Sequence, residues 1–459
     1  MEFSSIIFLV IFLPIFLFSY FLIKNNTYRN IILLLFSLVF YAFGEPIYIL
    51  LMIASIIINY LLALLMDKHK NKLLLILAIT INIGLLIIFK YTDFIIDINN
   101  FLFNTSFVHK NILLPIGISF YTFQILSYVI DVYLGKVKVQ KNILFLGCYI
   151  TAFPQLIAGP IVRYETIEDE LINRKTNIDN FYQGLRLFII GLSKKVLIAN
   201  NVGYVADHIF QTSPSTYGFI GVITSIICYT LQIYYDFSGY SDMAIGIGKM
   251  LGFNFPKNFN YPYIAESITD FWRRWHITLS TWFKEYVYIP LGGNKVKPFR
   301  HIINILIVWL LTGLWHGASI NFLCWGLFYA IFLLIEKYLL KNILNRMPKL
   351  IRHLYTLIIV MLGWNIFYHT NIGDLLNSFK ALIGLYGFGS FKVFIYTESF
   401  TVINIIAFIA GIIFAMPIIK ETKNKYLNMI YDIILILLFI LCLVFLISNT
   451  YNPFIYFRF

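Results

Sequence analysis

The chain has 459 residues, of which 60% are hydrophobic, 18% aromatic and only 12% charged, whereas soluble globular domains carry roughly 25% charged residues. This composition excludes an ordinary water-soluble fold and predicts an all-α, polytopic integral membrane protein. The net charge of +13 is spread over short loops between apolar runs, so it does not indicate a nucleic-acid-binding domain.

Apolar runs follow one another along the chain, and many approach the roughly 20 residues that a bilayer core requires. The first, Ser4 to Ile23, has no basic segment before it and no small-residue cleavage site after it, which favours a retained span over a signal peptide. We predict about ten to twelve membrane segments in a single membrane domain over residues 1–459. The further runs are 31–43 with 47–66, 73–89, 112–134, 184–199, 216–235, 302–335, 351–367, 401–419 and 429–448.

Lysine and arginine clusters mark the ends of these runs, as they do in the cytoplasmic loops of membrane proteins. They place the N-terminus outside and predict an external loop at 91–111, whereas half-polar segments leave the topology open after residue 160. The clusters are Lys24 with Arg29, Lys68 with Lys70 and Lys72, Lys136 with Lys138 and Lys141, and Lys420 with Lys423 and Lys425.

The four cysteines stand singly within apolar stretches, which is typical of small buried hydrophobic residues. They are Cys148, Cys228, Cys324 and Cys442. The sequence has no C-x-x-C pair and no His/Cys cluster, so it predicts no metal site.

His316 interrupts the apolar run 302–335 near its middle. An ionisable side chain within a span costs about 2.5–3.5 kcal/mol on insertion scales, so it needs a reason to be there. Gly317, which follows, can break the helix and expose peptide groups to a cavity. The imidazole is suited to accept a proton from a hydroxyl near neutral pH, but a packed histidine bonded to a neighbouring helix explains the residue equally well.

A second histidine, His276, lies in D-F-W-R-R-W-H-I-T-L-S-T-W-F-K-E-Y. If 269–288 is one helix, large apolar residues recur at three- and four-residue spacing and form a stripe. The stripe is Trp272, Trp275, Leu279, Trp282 and Tyr286, and the cations Arg273, Arg274 and Lys284 lie away from it. This pattern favours a helix anchored at the membrane interface, and it leaves the role of His276 undecided.

Two acidic residues, Asp236 and Asp242, stand among aromatic and glycine residues in Y-Y-D-F-S-G-Y-S-D-M-A-I-G. They could be buried partners of Arg273 and Arg274, or they could line a polar cavity. The structural role is favoured, because pairing with arginine is a common solution for a carboxylate in low dielectric.

Two further segments combine breaker residues with cations. In F-P-Q-L-I-A-G-P-I-V-R-Y, at 153–164, two prolines and a glycine argue against a continuous spanning helix and predict a re-entrant segment that ends at Arg163. The turn Gly292-Gly293-Asn294 is followed by Lys295, Lys297 and Arg300. Both segments could contact anions, and ordinary interfacial cations explain both as well.

The long motif around His276 continues to I-P-L-G-G-N-K and is followed forty residues after its histidine by L-W-H-G. It resembles the membrane-bound O-acyltransferase (MBOAT) family, in the bacterial branch that includes the alginate O-acetylation membrane protein. The resemblance covers most of 112–335, the motif core between N-terminal spans at 1–111 and C-terminal spans at 336–459. Its other motifs are S-F-Y-T-F-Q-I-L-S-Y-V-I-D-V-Y at 119–133, the 153–164 segment, Y-D-F-S-G-Y-S-D-M-A-I-G at 235–246 and the terminal N-P-F-I-Y-F-R-F.

This resemblance implies a ring of membrane helices around a thin centre, with a funnel from the cytoplasm. It assigns His316 as the essential histidine of a buried chamber and His276 as the second functional histidine. It also implies acetyl-CoA as the acyl donor substrate, with no bound cofactor, and an extracytoplasmic partner of the SGNH-hydrolase type that completes transfer to a polysaccharide. Such a protein lies in the bacterial cytoplasmic membrane.

The resulting hypothesis is an acetyltransferase in which His316 takes the proton of an incoming hydroxyl. Arg273, Arg274 or Lys295 would favour the negatively charged donor, and Asn321 or backbone amides freed at Gly317 would stabilise the oxyanion. Two alternatives are a transporter or flippase for an acylated lipid or sugar, and a non-enzymatic scaffold. The transporter predicts an internal symmetry of charged residues that the sequence lacks.

Overall fold

The computed structural model describes residues 1–212, 214–390, 392, 394, 399, 401–418, 424–448 and 451–455. The predicted basic residues Lys420 and Lys423, and the last four residues of the terminal motif, 456–459, lie outside the described residues. The described chain is helical and contains no strand, which confirms the all-α class.

The helices fall into two compact units, one formed by 1–188 with 240–256 and the other by 189–239 with 257–459. Two helices, Ile178–Ser193 and Pro214–Leu251, have residues in both units. The main helices of the first unit are Leu13–Phe21, Asn26–Gly44, Tyr48–His69, Lys72–Leu86, Thr92–Phe103, Ile118–Tyr133, Ile143–Thr151 and Tyr164–Asn173. Those of the second unit are Asn200–Phe210, Ile268–Arg274, Ile277–Phe283, Pro298–His316, Ile320–Ile335, Lys341–Arg346, Lys349–Tyr368, Ile372–Leu382, Val402–Phe414 and Lys425–Ser448.

Eight helices of the described chain are long and apolar enough to cross a membrane, and two shorter apolar helices accompany them. The eight confirm a polytopic membrane protein, and in the described part of the chain they are fewer than the predicted ten to twelve segments. The eight are Asn26–Gly44, Tyr48–His69, Lys72–Phe103, Thr216–Leu251, Pro298–His316, Ile320–Arg346, Lys349–Tyr368 and Lys425–Ser448, and the shorter two are Phe8–Phe21 and Val402–Phe414.

The predicted loop at 91–111 is wrong in form, because the helix that begins at Lys72 continues to Phe103. The residues that follow it fold back on the helix. Both carboxylate oxygens of Asp93 accept hydrogen bonds from this returning segment, from the amides of Lys110 at 2.7 Å and Asn111 at 3.0 Å. The positions of the basic clusters predict a loop here, but the contacts of Asp93 with the returning chain hold the extra helical turns in place.

The predicted interruption at 153–164 is confirmed. The helix Ile143–Thr151 ends at Ala152, a single turn follows at Phe153–Leu156, and no helix resumes until Tyr164. Its residues are nevertheless buried almost throughout. Proline, which lacks an amide donor, explains why the chain can be buried here without continuing as a helix.

Two long helices of the second unit, Pro298–His316 and Ile320–Ile335, form a hairpin around His316. Glycines permit its close packing: a Cβ on Gly326 would collide with the carbonyl oxygen of Trp309, and one on Gly313 with that of Phe322. Small residues at the contact between membrane helices allow the backbones to approach closely. This packing places the end of the first helix against the start of the second.

Gly326→Val should therefore destabilise the protein, because the added side chain must push the two backbones apart. Overpacking of this kind costs about 1–3 kcal/mol. Thermal unfolding in detergent, followed by intrinsic fluorescence, measures the effect as a lower Tm. The matched control is Gly84→Val, since a Cβ at Gly84 meets nothing within 4 Å. Equal melting temperatures for the two variants would contradict the close packing of this hairpin.

Candidate active site

His276 lies at a break between two short helices and not within one long helix. The helix Ile268–Arg274 ends before Trp275, which is extended, and His276 takes a left-handed conformation with a φ of 42° before the helix Ile277–Phe283 begins. The predicted continuous helix over 269–288 is therefore wrong. Its apolar periodicity persists across the break, which is why the sequence pattern did not reveal it.

A neighbouring segment supplies the hydrogen bonds that both helix ends would otherwise lack. The carbonyl of Asn258 accepts from the amide of Ile277 at 2.9 Å, and the amide of Asn260 donates to the carbonyl of Arg274 at 2.9 Å. The side-chain oxygen of Asn258 accepts from the amide of Thr278 at 3.3 Å, as a capping side chain does at a helix start. Residues 258–260 thus stabilise the break from outside the helix.

The predicted aromatic stripe lies in the protein interior and not at lipid headgroups. Four of its members, Trp272, Trp275, Leu279 and Trp282, are buried. Trp272 packs edge-on against Trp309 and Tyr329, with ring centroids 4.6 and 4.9 Å away, distances at which aromatic pairs attract. The prediction of an interfacial anchor is therefore wrong, since the stripe packs against the His316 hairpin.

His316 is the last residue of the helix Pro298–His316, and Gly317 continues as extended chain. The predicted helix break at this point is confirmed. A Cβ on Gly317 would collide with the ring of Phe322, so only glycine allows the chain to turn here without displacing that ring. The imidazole is buried, and the rings of Trp325 and Phe367 meet it edge-on at 5.0 and 5.2 Å.

The imidazole rings of His276 and His316 both pack against the ring of one tryptophan, Trp315. The ring of Trp315 is 5.8 Å from that of His276 and 5.1 Å from that of His316, while Phe237 covers His276 from another side at 4.7 Å. Burial lowers the pKa of His276 well below its usual value, and the nearby His316 lowers it further. His276 is therefore neutral at pH 7, as a proton acceptor must be.

The contacts of Asn258 also determine which nitrogen of His276 carries the proton. The oxygen of its amide faces the amide of Thr278, an unambiguous donor, and the Thr278 hydroxyl at 2.9 Å. His276 Nδ1, which is 3.0 Å from the same oxygen, must then carry its hydrogen and donate. Nε2 is left as an acceptor, and among the described residues it has no hydrogen-bond partner. A buried basic nitrogen of this kind can take a proton from a substrate.

Asn321, predicted as an oxyanion donor, is buried at the start of the second hairpin helix. Its Nδ2 lies 3.4 Å from the carbonyl of Phe367, and its Oδ1 has no hydrogen-bond partner in the described part of the chain. The amide thus contacts the backbone of Phe367, whose ring packs against His316, and its role as an oxyanion donor stays a prediction.

Asp236 forms a buried ion pair, but its partner is not Arg273 or Arg274, as hypothesised. A buried Asp236 oxygen lies 2.6 Å from the ammonium of Lys195, while Arg274 pairs with Asp270 at 3.0 Å. The predicted structural role of a buried ion pair holds with lysine in place of arginine. Asp242 is half-buried and belongs to the first unit.

A cleft of about 850 Å³ opens in the second unit beside the helix Ile268–Arg274. Arg273, a predicted donor-binding residue, is exposed and lines it, together with Lys284 and Lys341. Neither Arg274 nor Lys295 belongs to its lining, so the structure gathers only one of the three predicted cations here. Among the described residues Arg273, Lys284 and Lys341 form no ion pair.

The acidic residues of this cleft are engaged within the protein. Glu266 pairs with Arg352 at 2.6 Å, and Asp270 pairs with Arg274. Glu336 accepts hydrogen bonds from the amides of Ile268 and Thr269 at 2.6 and 3.1 Å, so it caps the helix Ile268–Arg274. The cleft therefore keeps a positive character, which favours an anionic ligand.

Sequence analysis missed the polar cluster around His301, also on the cleft wall. Its Nε2 lies 2.8 Å from the ammonium of Lys337 and 3.0 Å from the hydroxyl of Tyr288, and its Nδ1 lies 2.9 Å from the hydroxyl of Tyr338. His301 is in the first turn of the helix that begins at Pro298, where a polar residue is common. Only the contacts made by the later helix reveal the cluster.

The depressed pKa of His276 predicts a pH-dependent stability. Below about pH 6.5 the unfolded chain binds a proton at this residue, whereas the folded chain does not. The free energy of unfolding should therefore fall as the pH falls below 6.5, by up to about 1.4 kcal/mol per pH unit for this one group. His276→Gln should show a shallower fall in Tm between pH 7 and 5 than wild type, and His69→Gln, at an exposed position, should not. Parallel curves for all three proteins would contradict a neutral, buried His276.

Comparison with known proteins gives the same family as the motifs. The model of the MBOAT, membrane-bound O-acyltransferase family matches residues 140–372. A probable alginate O-acetylase of Pseudomonas aeruginosa is 40% identical over 402 residues, which make up 86% of this chain and 76% of that protein. A peptidoglycan O-acetyltransferase of Helicobacter pylori is 37% identical over 423 residues, with 84% and 80% covered.

A more distant relative, the teichoic acid D-alanyltransferase of Bacillus subtilis, is 30% identical over 234 residues, which cover 48% of this chain and 58% of that protein. The family match includes both histidines and the cleft residue Arg273. Together with the polytopic all-α fold, these similarities show that the chain belongs to the membrane-bound O-acyltransferase family and is an O-acyltransferase.

Proposed function

We propose that the chain transfers acetyl groups from acetyl-CoA, bound from the cytoplasm, toward O-acetylation of an extracytoplasmic polysaccharide or cell-envelope glycan. The observation that carries this proposal is the meeting of His276 and His316 around Trp315. Two separate breaks in helical structure bring these buried imidazoles against the same ring. An imidazole buried in a membrane protein is a suitable proton acceptor for acyl transfer to a hydroxyl.

The choice of acetyl as the transferred group rests on the extent of the similarities. The two relatives named as O-acetylating enzymes align over 84–86% of this chain, while the D-alanyl relative aligns over 48%. The name of each relative specifies the polymer that it modifies, which is alginate, peptidoglycan or teichoic acid. We therefore infer an acetyl donor and a glycan acceptor, without assigning alginate, cellulose or peptidoglycan as the polymer.

The chemistry needs one proton acceptor and a route for the leaving group. The hydroxyl oxygen of the acceptor attacks the thioester carbonyl carbon, His316 takes the hydroxyl proton, and the carbon–sulfur bond breaks. The CoA thiolate that leaves then takes up the proton, so the imidazole is restored. His276, with Nε2 as its free acceptor, is the second candidate for this proton, and Asn321 lies where it could support the oxyanion.

The cleft beside Arg273 is the proposed entry of the donor. Its cations Arg273, Lys284 and Lys341, which form no ion pair with the residues that the structure describes, suit the negatively charged phosphates of CoA. The ends of the hairpin helices nearby carry the basic residues expected of cytoplasmic loops. A donor that binds here need not cross the membrane to deliver its acetyl group.

A partner completes the proposed reaction on the other side of the membrane. By resemblance to the acetylating branch, we expect an extracytoplasmic protein of the SGNH-hydrolase type that passes the acetyl group to the polymer. The chain itself is proposed to lie in the bacterial cytoplasmic membrane. An SGNH-type protein encoded beside this chain would support the pairing.

His316→Ala should reduce acetyl transfer by at least about 100-fold, because general-base catalysis contributes roughly 10²–10⁴-fold. His276→Ala should also impair it, whereas His69→Ala, at an exposed position, should not. The measurement is consumption of labelled acetyl-CoA by purified protein with a glycan or model hydroxyl acceptor. Wild-type rates for His316→Ala would remove this residue from the mechanism. A wild-type protein that stays inert even with the SGNH-type partner present would favour the transporter or scaffold alternatives.

Arg273→Gln should raise the KM for acetyl-CoA several-fold with a smaller effect on kcat, since a phosphate contact of roughly 1 kcal/mol would be lost. Lys295→Gln is the matched control, because Lys295 is an exposed cation away from the cleft. The KM of wild type should also rise with salt concentration. If Lys295→Gln raised the KM and Arg273→Gln did not, the donor would bind elsewhere.

A further inference from the structure

Residues 451–455, here called the C-terminal strap, are fixed to the second unit by polar contacts along their length. The Tyr451 hydroxyl donates to Asp207 at 2.6 Å, and the side chain of Asn452 accepts from Asn200 at 3.0 Å. The ammonium of Lys195 donates to the carbonyl of Pro453. The strap is therefore held by main-chain as well as side-chain groups.

The buried ion pair of Lys195 and Asp236 is shared with this strap. One Asp236 oxygen lies 2.6 Å from the ammonium, and the other accepts from the amide of Ile455 at 2.8 Å. Both side chains are almost fully buried, at 3% and 2% exposure. Two charges in such surroundings are tolerated only when further hydrogen bonds complete their coordination. Here the strap backbone supplies those bonds, so the pair fixes the position of the strap.

The residues that bind the strap adjoin the aromatic residues that pack against the two histidines. Asp236 is followed in the chain by Phe237, whose ring covers His276 at 4.7 Å. On the other side, Asp207 accepts from the hydroxyl of Tyr368 at 3.0 Å as well as from Tyr451.

Tyr368 is preceded by Phe367, whose ring meets His316 at 5.2 Å. The strap thus connects the two helices that carry these aromatic residues. It contacts Asp236 of Pro214–Leu251 directly, and it reaches Tyr368 of Lys349–Tyr368 through Asp207.

We infer that the C-terminal strap is a positioning element of the acyl-transfer site, with Lys195, Asp236 and Asp207 as its positioning residues. It sets the separation of Phe237 and Phe367 and thereby the approach of His276 and His316 to the substrate. Misplacement by about 1 Å far from the chemistry can reduce a rate by about 100-fold. The inference rests on the proposed function for its activity readout, but its geometry involves only this chain.

Two variants of the full chain test this inference. Tyr451→Phe keeps the ring and removes the phenol that binds Asp207. The double variant Lys195→Met with Asp236→Leu removes both charges together, which avoids leaving one buried ion unpaired. Tyr386→Phe is the matched control, because its hydroxyl binds Asn377 in the same unit, away from the strap.

We expect kcat for acetyl transfer to fall about 10-fold or more in both variants, with the KM for acetyl-CoA and the Tm close to wild type. The rate at which diethyl pyrocarbonate modifies His276 and His316, followed by peptide mass spectrometry, should rise in both. The control should behave as wild type in every measurement.

A purely structural strap would instead lower the Tm while kcat, measured below the unfolding transition, stayed unchanged. That result, or unaltered modification rates and turnover in both variants, would overturn the inference. If wild type itself transfers no acetyl group from acetyl-CoA, the proposed donor is wrong. The modification rates then still decide whether the strap positions the histidines.

Discussion

The side-chain oxygen of Asn258 is the contact on which the geometry of the site depends. It accepts hydrogen bonds from the amide and hydroxyl of Thr278 and from Nδ1 of His276. One atom therefore caps the second short helix and orients the imidazole that precedes it. The left-handed conformation of His276 is unfavourable for a residue with a Cβ. These hydrogen bonds offset that cost and keep the chain broken at a histidine.

The second requirement is that both imidazoles stay out of water. Aromatic rings enclose them, and Trp315 contacts both. Burial favours the uncharged form of His276, and such surroundings strengthen any hydrogen bond that forms there. Glycine at 317 contributes at the same place, because the ring of Phe322 occupies the volume that a side chain would need. The aromatic residues therefore act on the chemistry and not only on the packing.

Sequence patterns predicted the parts of the site whose causes are local. Gly317 directly follows His316, so the helix break there could be predicted from two adjacent residues. The break at His276 could not, because its cause is Asn258, eighteen residues earlier, and because apolar periodicity continues across it. The membrane class followed from composition and from the length of the apolar runs, which depend on no long-range contact.

The errors have a common physical origin. Periodicity identifies the apolar face of a helix but not what covers it. The stripe therefore predicts contact with lipid headgroups, whereas Trp309 and Tyr329 cover Trp272. The same limit applies to charge: burial of Asp236 requires a cation, yet nothing in its local sequence selects Lys195 over Arg274. A partner so distant in the sequence can be identified only from the folded structure.

Three buried carboxylates of the second unit, Asp207, Asp236 and Glu336, are all engaged within the protein. Asp207 accepts from two tyrosine hydroxyls, Asp236 from Lys195 and a backbone amide, and Glu336 from two amides. A carboxylate whose lone pairs already receive such donors is poorly placed to accept a substrate proton. Nε2 of His276, in contrast, has no hydrogen-bond partner among the described residues. Under the proposed function these three carboxylates are therefore poor candidates for the base, whereas an imidazole suits proton transfer near neutral pH.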